Sequence, residues 1–173
     1  MIRIRAATPA DLEKMLSIYE LSVRNSPASF EIDPPSLNSF EQRFKDISSK
    51  YPWIVCEIHG EVVGYSYASP HRERAAYQWS VESSVYLSSS NSKKGIGRAL
   101  YSHLFQSLKE QGICNVFAGI TIPNEASIRL HESLNFNYIG TYRNVGFKLN
   151  KWWDVGWWQL ELQLPNQPKV LTY

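Results

Sequence analysis

The alternation of apolar and polar positions divides the chain into short elements. Residues 2–6 alternate in the manner of a strand, and Thr8-Pro9-Ala10-Asp11 then announces a helix. Threonine suits the N-cap, proline the first helical position, and an acidic side chain the positive end of the helix dipole. Leu12, Met15, Leu16, Tyr19 and Val23 recur at helical spacing, which predicts a helix to about Ser22 with one buried face. A turn-rich loop follows to about Pro35, interrupted by Ser29-Phe30-Glu31. A second helix is predicted over about 37–48, with Phe40, Phe44 and Ile47 on one side. These two helices and their loop are material for one wall of a site.

Apolar runs at 52–58 and 62–69, joined by His59-Gly60-Glu61, read as a hairpin. Beyond a polar link holding Arg72, Glu73 and Arg74, alternation predicts a strand from Tyr77 to Leu87. Tyr77, Trp79, Val81, Val85 and Leu87 share one face; Gln78, Ser80, Glu82, Ser84 and Tyr86 share the other. The basic, doubly glycinated turn Ser92-Lys93-Lys94-Gly95-Ile96-Gly97-Arg98 leads straight into a helix. Its stripe is Leu100, Leu104 and Leu108, flanked by Tyr101 and Phe105, and it ends at Gly112. A strand, a glycine turn and a helix in that order build an anion cradle. The glycines let successive amide N–H groups converge, and the helix N-terminus adds about half a positive charge. Residues 114–122 read as a buried strand, broken by Pro123-Asn124 ahead of a short helix with Ala126, Ile128, Leu130 and Leu134. A long hairpin over 138–147 and 152–164 closes the pattern. The order β-α-α-β-β-β-α-β-α-β-β predicts a mixed α/β (α+β) sheet with helices on both faces.

Composition narrows the function. A chain of 173 residues, 43% hydrophobic, makes one domain over 1–173, with a loosely ordered tail expected from about 165. A formal net charge of +2 gives no global field for nucleic acid. No apolar run approaches the roughly 20 residues that cross a bilayer, so no membrane partner and a cytoplasmic location are expected. Cys56 and Cys114 sit in apolar strand-like runs and are expected to be buried free thiols, a disulfide between them being the other reading.

Several motifs in register carry a resemblance. The element order, the strand–glycine turn–helix centre and Asn124-Glu125-Ala126-Ser127-Ile128-Arg129-Leu130-His131-Glu132-Ser133-Leu134-Asn135-Phe136 together resemble the GNAT superfamily of acetyl-CoA-dependent N-acetyltransferases. Ala75-Ala76-Tyr77, Val81-Glu82-Ser83-Ser84-Val85-Tyr86 and Trp152-Trp153-Asp154-Val155-Gly156-Trp157-Trp158-Gln159-Leu160 narrow it to the phosphinothricin and methionine-sulfoximine acetyltransferases. Ser92 stands where the family's cofactor turn has Gln or Arg, and Trp153 where phosphinothricin-specific relatives commonly have His. The resemblance implies a mostly antiparallel central sheet whose strands splay at the cofactor site. It implies acetyl-CoA as cosubstrate and no metal. Val85, Tyr86 and Leu87 are then expected along the pantetheine arm, Lys93, Lys94, Gly95, Ile96, Gly97 and Arg98 around the pyrophosphate, and Asn124 bonded to the cofactor.

Acetyl transfer needs a neutral amine, and an ordinary alkylammonium with a pKa of about 10.4 must first lose a proton. Glu82 is the candidate base, acting directly or through water; its other reading is an outward strand glutamate paired with a cation. His131 stands where the family often places the tyrosine that protonates the departing thiolate, and is either an imidazolium donor or a packed helix histidine. Tyr101 reads as core. For an amino-acid-like substrate, Arg72 and Arg74 offer bidentate donors to a carboxylate, with Phe30, Glu31 and Tyr77 shaping the pocket. The expected reaction is acetylation of the α-amino group of a small amino acid or toxic analogue by direct attack in a ternary complex. Alternatives are another small amine, a protein N-terminus, or a non-catalytic acyl-CoA sensor. The aromatic C-terminal hairpin suggests a homodimer.

Overall fold

Trp53-Ile54-Val55-Cys56 lacks polar alternation because its strand is buried on both faces. Trp53 and Val55 join one apolar cluster and Ile54 and Cys56 the other. The computed structural model describes residues 2–91 and 95–171. In chain order its elements are β1 (Ile2–Ala6), α1 (Leu12–Asn25), α2 (Leu37–Ser48), β2 (Trp53–Ile58), β3 (Glu61–Pro70), β4 (Ser80–Leu87), α3 (Ile96–Gln111), β5 (Asn115–Ile122), α4 (Glu125–Glu132), β6 (Asn137–Lys148) and β7 (Lys151–Glu161). The strands form a seven-stranded sheet, order β1-β2-β3-β4-β5-β7-β6 among the described residues, antiparallel except where β4 meets β5. Helices α1 and α2 cover one face around Met15, Val23, Phe40 and Tyr65. Helix α3 covers the other with Leu100, Leu104 and Leu108, which pack with Val81 and Val116.

The β4–β5 pair is short. β4 follows β3 from Val81, opposite Pro70, to Leu87, opposite Gly64. It follows β5 only at Ser80↔Asn115, Val81↔Val116 and Glu82↔Phe117, while β5 stays on β7 as far as Ile122↔Asp154. Beyond Glu82 and Phe117 the two strands diverge, so the facing edges of 83–87 and 118–122 have no strand partner. This is the splay that the family resemblance implies, located to one residue pair.

Some boundaries differ from the sequence pattern. The strand predicted from Tyr77 starts at Ser80, and Ala75–Tyr77 is a 3₁₀ turn. The polar link folds back there, with Tyr77 N–H on the Arg74 carbonyl, and this takes Tyr77 out of the alternation. Helix α1 runs to Asn25, three residues past the predicted end. Among the described residues the tail has no regular element after Glu161, yet it is tied to the domain: the Trp79 indole donates to the Lys169 carbonyl at 2.7 Å and Leu171 packs on the α3-side core. Cys56 and Cys114 are buried free thiols.

At the N-terminus, Asp11 organises the entry to α1. Its carboxylate accepts from Thr8 N–H (2.8 Å), Thr8 Oγ1–H (2.9 Å) and both terminal nitrogens of Arg5 (2.7 and 2.8 Å), and Arg5 Nε also reaches Glu57. These donors, Arg5 first, lower the Asp11 pKa to about 2. A depressed carboxylate stabilises the fold above its unfolded pKa and loses that contribution as pH falls through the folded value. Asp11→Asn is expected to cost about 2 kcal/mol in urea unfolding at pH 7. The difference from the parent should shrink between about pH 4 and pH 2; a difference constant with pH would remove the linkage.

Candidate active site

The fork opens into a cleft of about 720 Å³ lined by Val85, Tyr86 and Leu87 on one side and Gly119, Ile120 and Thr121 on the other. Val85, Tyr86 and Leu87 thus line the cleft along an edge of β4 that no other strand pairs. At its head, Gly95 caps α3 with φ +76°, a left-handed conformation that suits glycine, and Gly95, Ile96, Gly97, Arg98 and Asn124 all line the cleft. Lys93 and Lys94 lie outside the described residues, as does Ser92. Asn124 also caps α4, its side-chain oxygen accepting from Ser127 N–H at 3.2 Å. Arg98 reaches across to α4, donating to the Ser133 carbonyl and hydroxyl at 3.0 and 3.1 Å. Gly97 is needed for packing: a Cβ there would meet Leu130 at 3.2 Å and Leu87 at 3.7 Å. The glycine thus lets α3 approach α4 and β4, a different reason from the close approach to phosphate that the glycine turn suggests. An apolar-walled slot with an unpaired strand edge and a helix N-terminus at one end matches a pantetheine arm and pyrophosphate in shape and chemistry.

Glu82 stands where the fork begins. His71 Nδ1 lies 3.0 Å from its Oε1, and Arg72 Nη1 lies 3.5 Å from the same oxygen. The His71 ring stacks on Phe117 at 4.3 Å and meets Tyr77 and Trp157 edge-on. The structure therefore gathers Glu82, Arg72 and Tyr77 through a residue the sequence pattern did not mark. Arg74 is exposed at the start of the 3₁₀ turn. His71 follows the β3 run by one residue, and only the cross-strand pairing of Ser69 with Glu82 could have drawn attention to it.

Phe30 and Glu31 belong to a loop clamped by two cations. Arg43 from α2 pairs with Glu31 Oε1 and lies 5.8 Å above the Tyr19 ring; Glu31 Oε2 is buried without a hydrogen-bond partner. The Phe30 ring lies so close to Gly146 that a Cβ there would overlap it, at 2.3 Å. Lys148, at the end of β6, is buried, and its ammonium donates to the carbonyls of Val23 (2.6 Å), Ser26 (2.9 Å) and Ser29 (2.6 Å). Burial lowers its pKa, with nearby Glu31 opposing. Read in sequence, Lys148 is one more polar residue at a hairpin end.

His131 does line the cleft, 3% exposed, but its surroundings disfavour the imidazolium. Nδ1 lies 2.8 Å from the Ser127 carbonyl, which only accepts, so Nδ1 carries the proton. Nε2 then accepts from the Tyr101 hydroxyl at 3.2 Å. Burial pushes the imidazole below its usual pKa and the Tyr101 phenol above its own. Of the two readings of His131, these contacts favour the packed helix histidine over the imidazolium donor, because desolvation opposes the charge. Among the described residues no group of three or more His, Cys, Asp or Glu is placed to hold a metal ion, and no helix is long and apolar enough to cross a membrane.

The sheet is forked, with a helix N-terminus at the head of the fork and Glu82 on the last paired rung. The chain belongs to the acetyltransferase (GNAT) domain family, whose model matches residues 4–157. Among its relatives, a phosphinothricin N-acetyltransferase of Streptomyces viridochromogenes is 39% identical over 97% of this chain and 92% of the relative. An L-methionine sulfoximine/L-methionine sulfone acetyltransferase of Salmonella typhimurium is 33% identical over 92% of this chain and 94% of the relative. The crystal structure of a phosphinothricin acetyltransferase from Sinorhizobium meliloti in complex with acetyl-CoA superposes with a TM-score of 0.94 at 37% identity, covering 97% of this chain and 93% of that one. A ribosomal-protein-alanine N-acetyltransferase from Brucella melitensis superposes at 0.90 with 36% identity, covering 92% and 99%. Gly97→Val is expected to weaken acetyl-CoA binding in calorimetry at least about tenfold, since overpacking a close contact costs 1–3 kcal/mol. Unchanged affinity would show that the α3–α4 contact does not shape the cleft.

Proposed function

We propose that the protein acetylates the α-amino group of a small amino acid or of an analogue such as phosphinothricin, methionine sulfoximine or methionine sulfone, by direct attack in a ternary complex. The observation that carries this reading is Glu82 on the last β4–β5 rung before the fork opens, with His71 and Arg72 at its carboxylate. When bound, acetyl-CoA supplies the activated acetyl carbon. Gly95 to Arg98 and Asn124 hold its head end, with Lys93 and Lys94 proposed beside them, and Val85 to Leu87 hold its arm. Glu82 takes a proton from the substrate ammonium, which leaves the nitrogen lone pair free to attack. Arg72, with Arg74 proposed beside it, binds the substrate carboxylate. Phe30, Glu31 and Tyr77 bound the side-chain pocket, and the unpartnered Glu31 Oε2 is an acceptor for a polar head. The single Tyr101 hydroxyl proton is directed at His131 Nε2, so neither residue serves as the proton donor, and the coenzyme A sulfur leaves as a thiolate that is protonated from solvent when the C–S bond breaks. Two buried free thiols support a reducing, cytoplasmic setting.

Thiol release from acetyl-CoA tests this with a panel of free amino acids, the three analogues and a peptide with N-terminal alanine. Turnover is expected on the free amino acids or analogues; turnover on the peptide alone would favour the protein N-terminus instead. Glu82→Gln is expected to lower kcat by about 100-fold or more, in the range of a lost general base, with acetyl-CoA affinity retained. Parent-like turnover in that variant would sink the base assignment.

The same reading includes a homodimer. Tyr138, Tyr142, Phe147 and Trp152 on the terminal hairpin are each at least half exposed, and β6 is an edge strand. Sedimentation equilibrium is expected to give twice the 19.9 kDa chain mass, and Trp152→Glu to halve it. A monomer mass in the parent would remove the dimer.

A further inference from the structure

We propose that His71 is a positioning residue for Glu82, holding Oε1 so that Oε2 is presented to the substrate ammonium. The inference rests on the reading of Glu82 as the base and adds a residue to it.

A glutamate side chain has three rotatable bonds, and Glu82 is about one-third exposed, so nothing in its own strand holds the carboxylate in one place. His71 supplies the restraint. Its ring is 13% exposed and lies flat on Phe117, with centroids 4.3 Å apart and an interplanar angle of 17°. Tyr77 at 6.0 Å and Trp157 at 6.3 Å stand edge-on to it. Phe117 is the residue paired with Glu82 in the last rung before the fork opens. The shelf under the ring is therefore registered by backbone hydrogen bonding to the residue that the ring restrains.

The chemistry is one-sided. A carboxylate only accepts, so the 3.0 Å contact requires the proton of His71 on Nδ1. Arg72 approaches the same Oε1 at 3.5 Å. Both neighbours thus occupy one oxygen and leave Oε2 for the substrate. When the ammonium proton moves to Oε2, Oε1 still accepts from Nδ1–H, so the bond survives the transfer and neither His71 nor Arg72 gains or loses a proton.

His71→Phe keeps the stacking and removes the donor; His71→Gln keeps a side-chain donor without the ring. With the amine of the panel that is turned over fastest, His71→Phe is expected to lower kcat about tenfold, as small misplacements of reacting groups do, with both KM values within about twofold of the parent. His71→Gln should recover part of the loss. Adding His71→Phe to Glu82→Gln should cost nothing further, because the histidine acts only through the carboxylate. Independently of turnover, long-range ¹H–¹⁵N spectra of the parent are expected to place the His71 proton on Nδ1. Parent-like kcat in His71→Phe, additive losses in the double variant, or a proton on Nε2 would each overturn the positioning role. These results are distinct from fast Glu82→Gln, which would overturn the base itself.

Discussion

Everything the protein offers to a ligand follows from the early end of one pairing. Parallel hydrogen bonding between β4 and β5 stops after Glu82 and Phe117, and the strands then follow different neighbours, β3 and β7. A buried strand edge must find partners, so the unpaired stretches 83–87 and 118–122 form a slot that favours an extended ligand carrying amide groups. The fork also sets the position of the chemistry. The last paired rung carries Glu82 on one strand and the Phe117 shelf on the other, so both residues sit where the fork begins.

Cations hold the loop between α1 and α2. Lys148 caps the end of α1 through the Val23 carbonyl and closes the following loop through Ser26 and Ser29; Arg43 pins Glu31 from α2. A buried ammonium is costly unless its three donors are all used, and here each has a carbonyl. The helix C-terminus adds a favourable dipole. A loop rich in small residues and prolines is in this way held at a defined distance from β6, with Phe30 lying over Gly146.

Two histidines at the cleft have opposite surroundings. His131 is enclosed among Tyr101, Phe136 and its own helix, where desolvation disfavours the charged ring and the Ser127 carbonyl takes the Nδ1 proton. His71 lies on Phe117 at the start of the fork, in contact with the Glu82 carboxylate. Burial alone would treat the rings alike; their partners separate them, one acting as an acceptor toward Tyr101 and the other as a donor toward Glu82.

The amino-acid pattern determined most of the architecture: element order, both hairpins and the glycine turn that heads α3. Those features are encoded within a few residues by periodicity, caps and turn chemistry, so local sequence is enough to read them. It also placed Glu82 on its strand and Gly95, Gly97, Arg98 and Asn124 at the cleft. The tertiary structure alone decided that Tyr77 leaves the strand, that Gly97 lies against Leu130 and Leu87, that desolvation disfavours a charged His131, and that His71 meets Glu82, Arg43 meets Glu31 and Lys148 meets the end of α1. Each of these depends on what a side chain meets across the fold. His71 meets Glu82 eleven positions away, and Lys148 meets Val23 at a separation of 125. Hydrogen bonding and desolvation at such separations arise only when the sheet is assembled, and no spacing along the chain carries them.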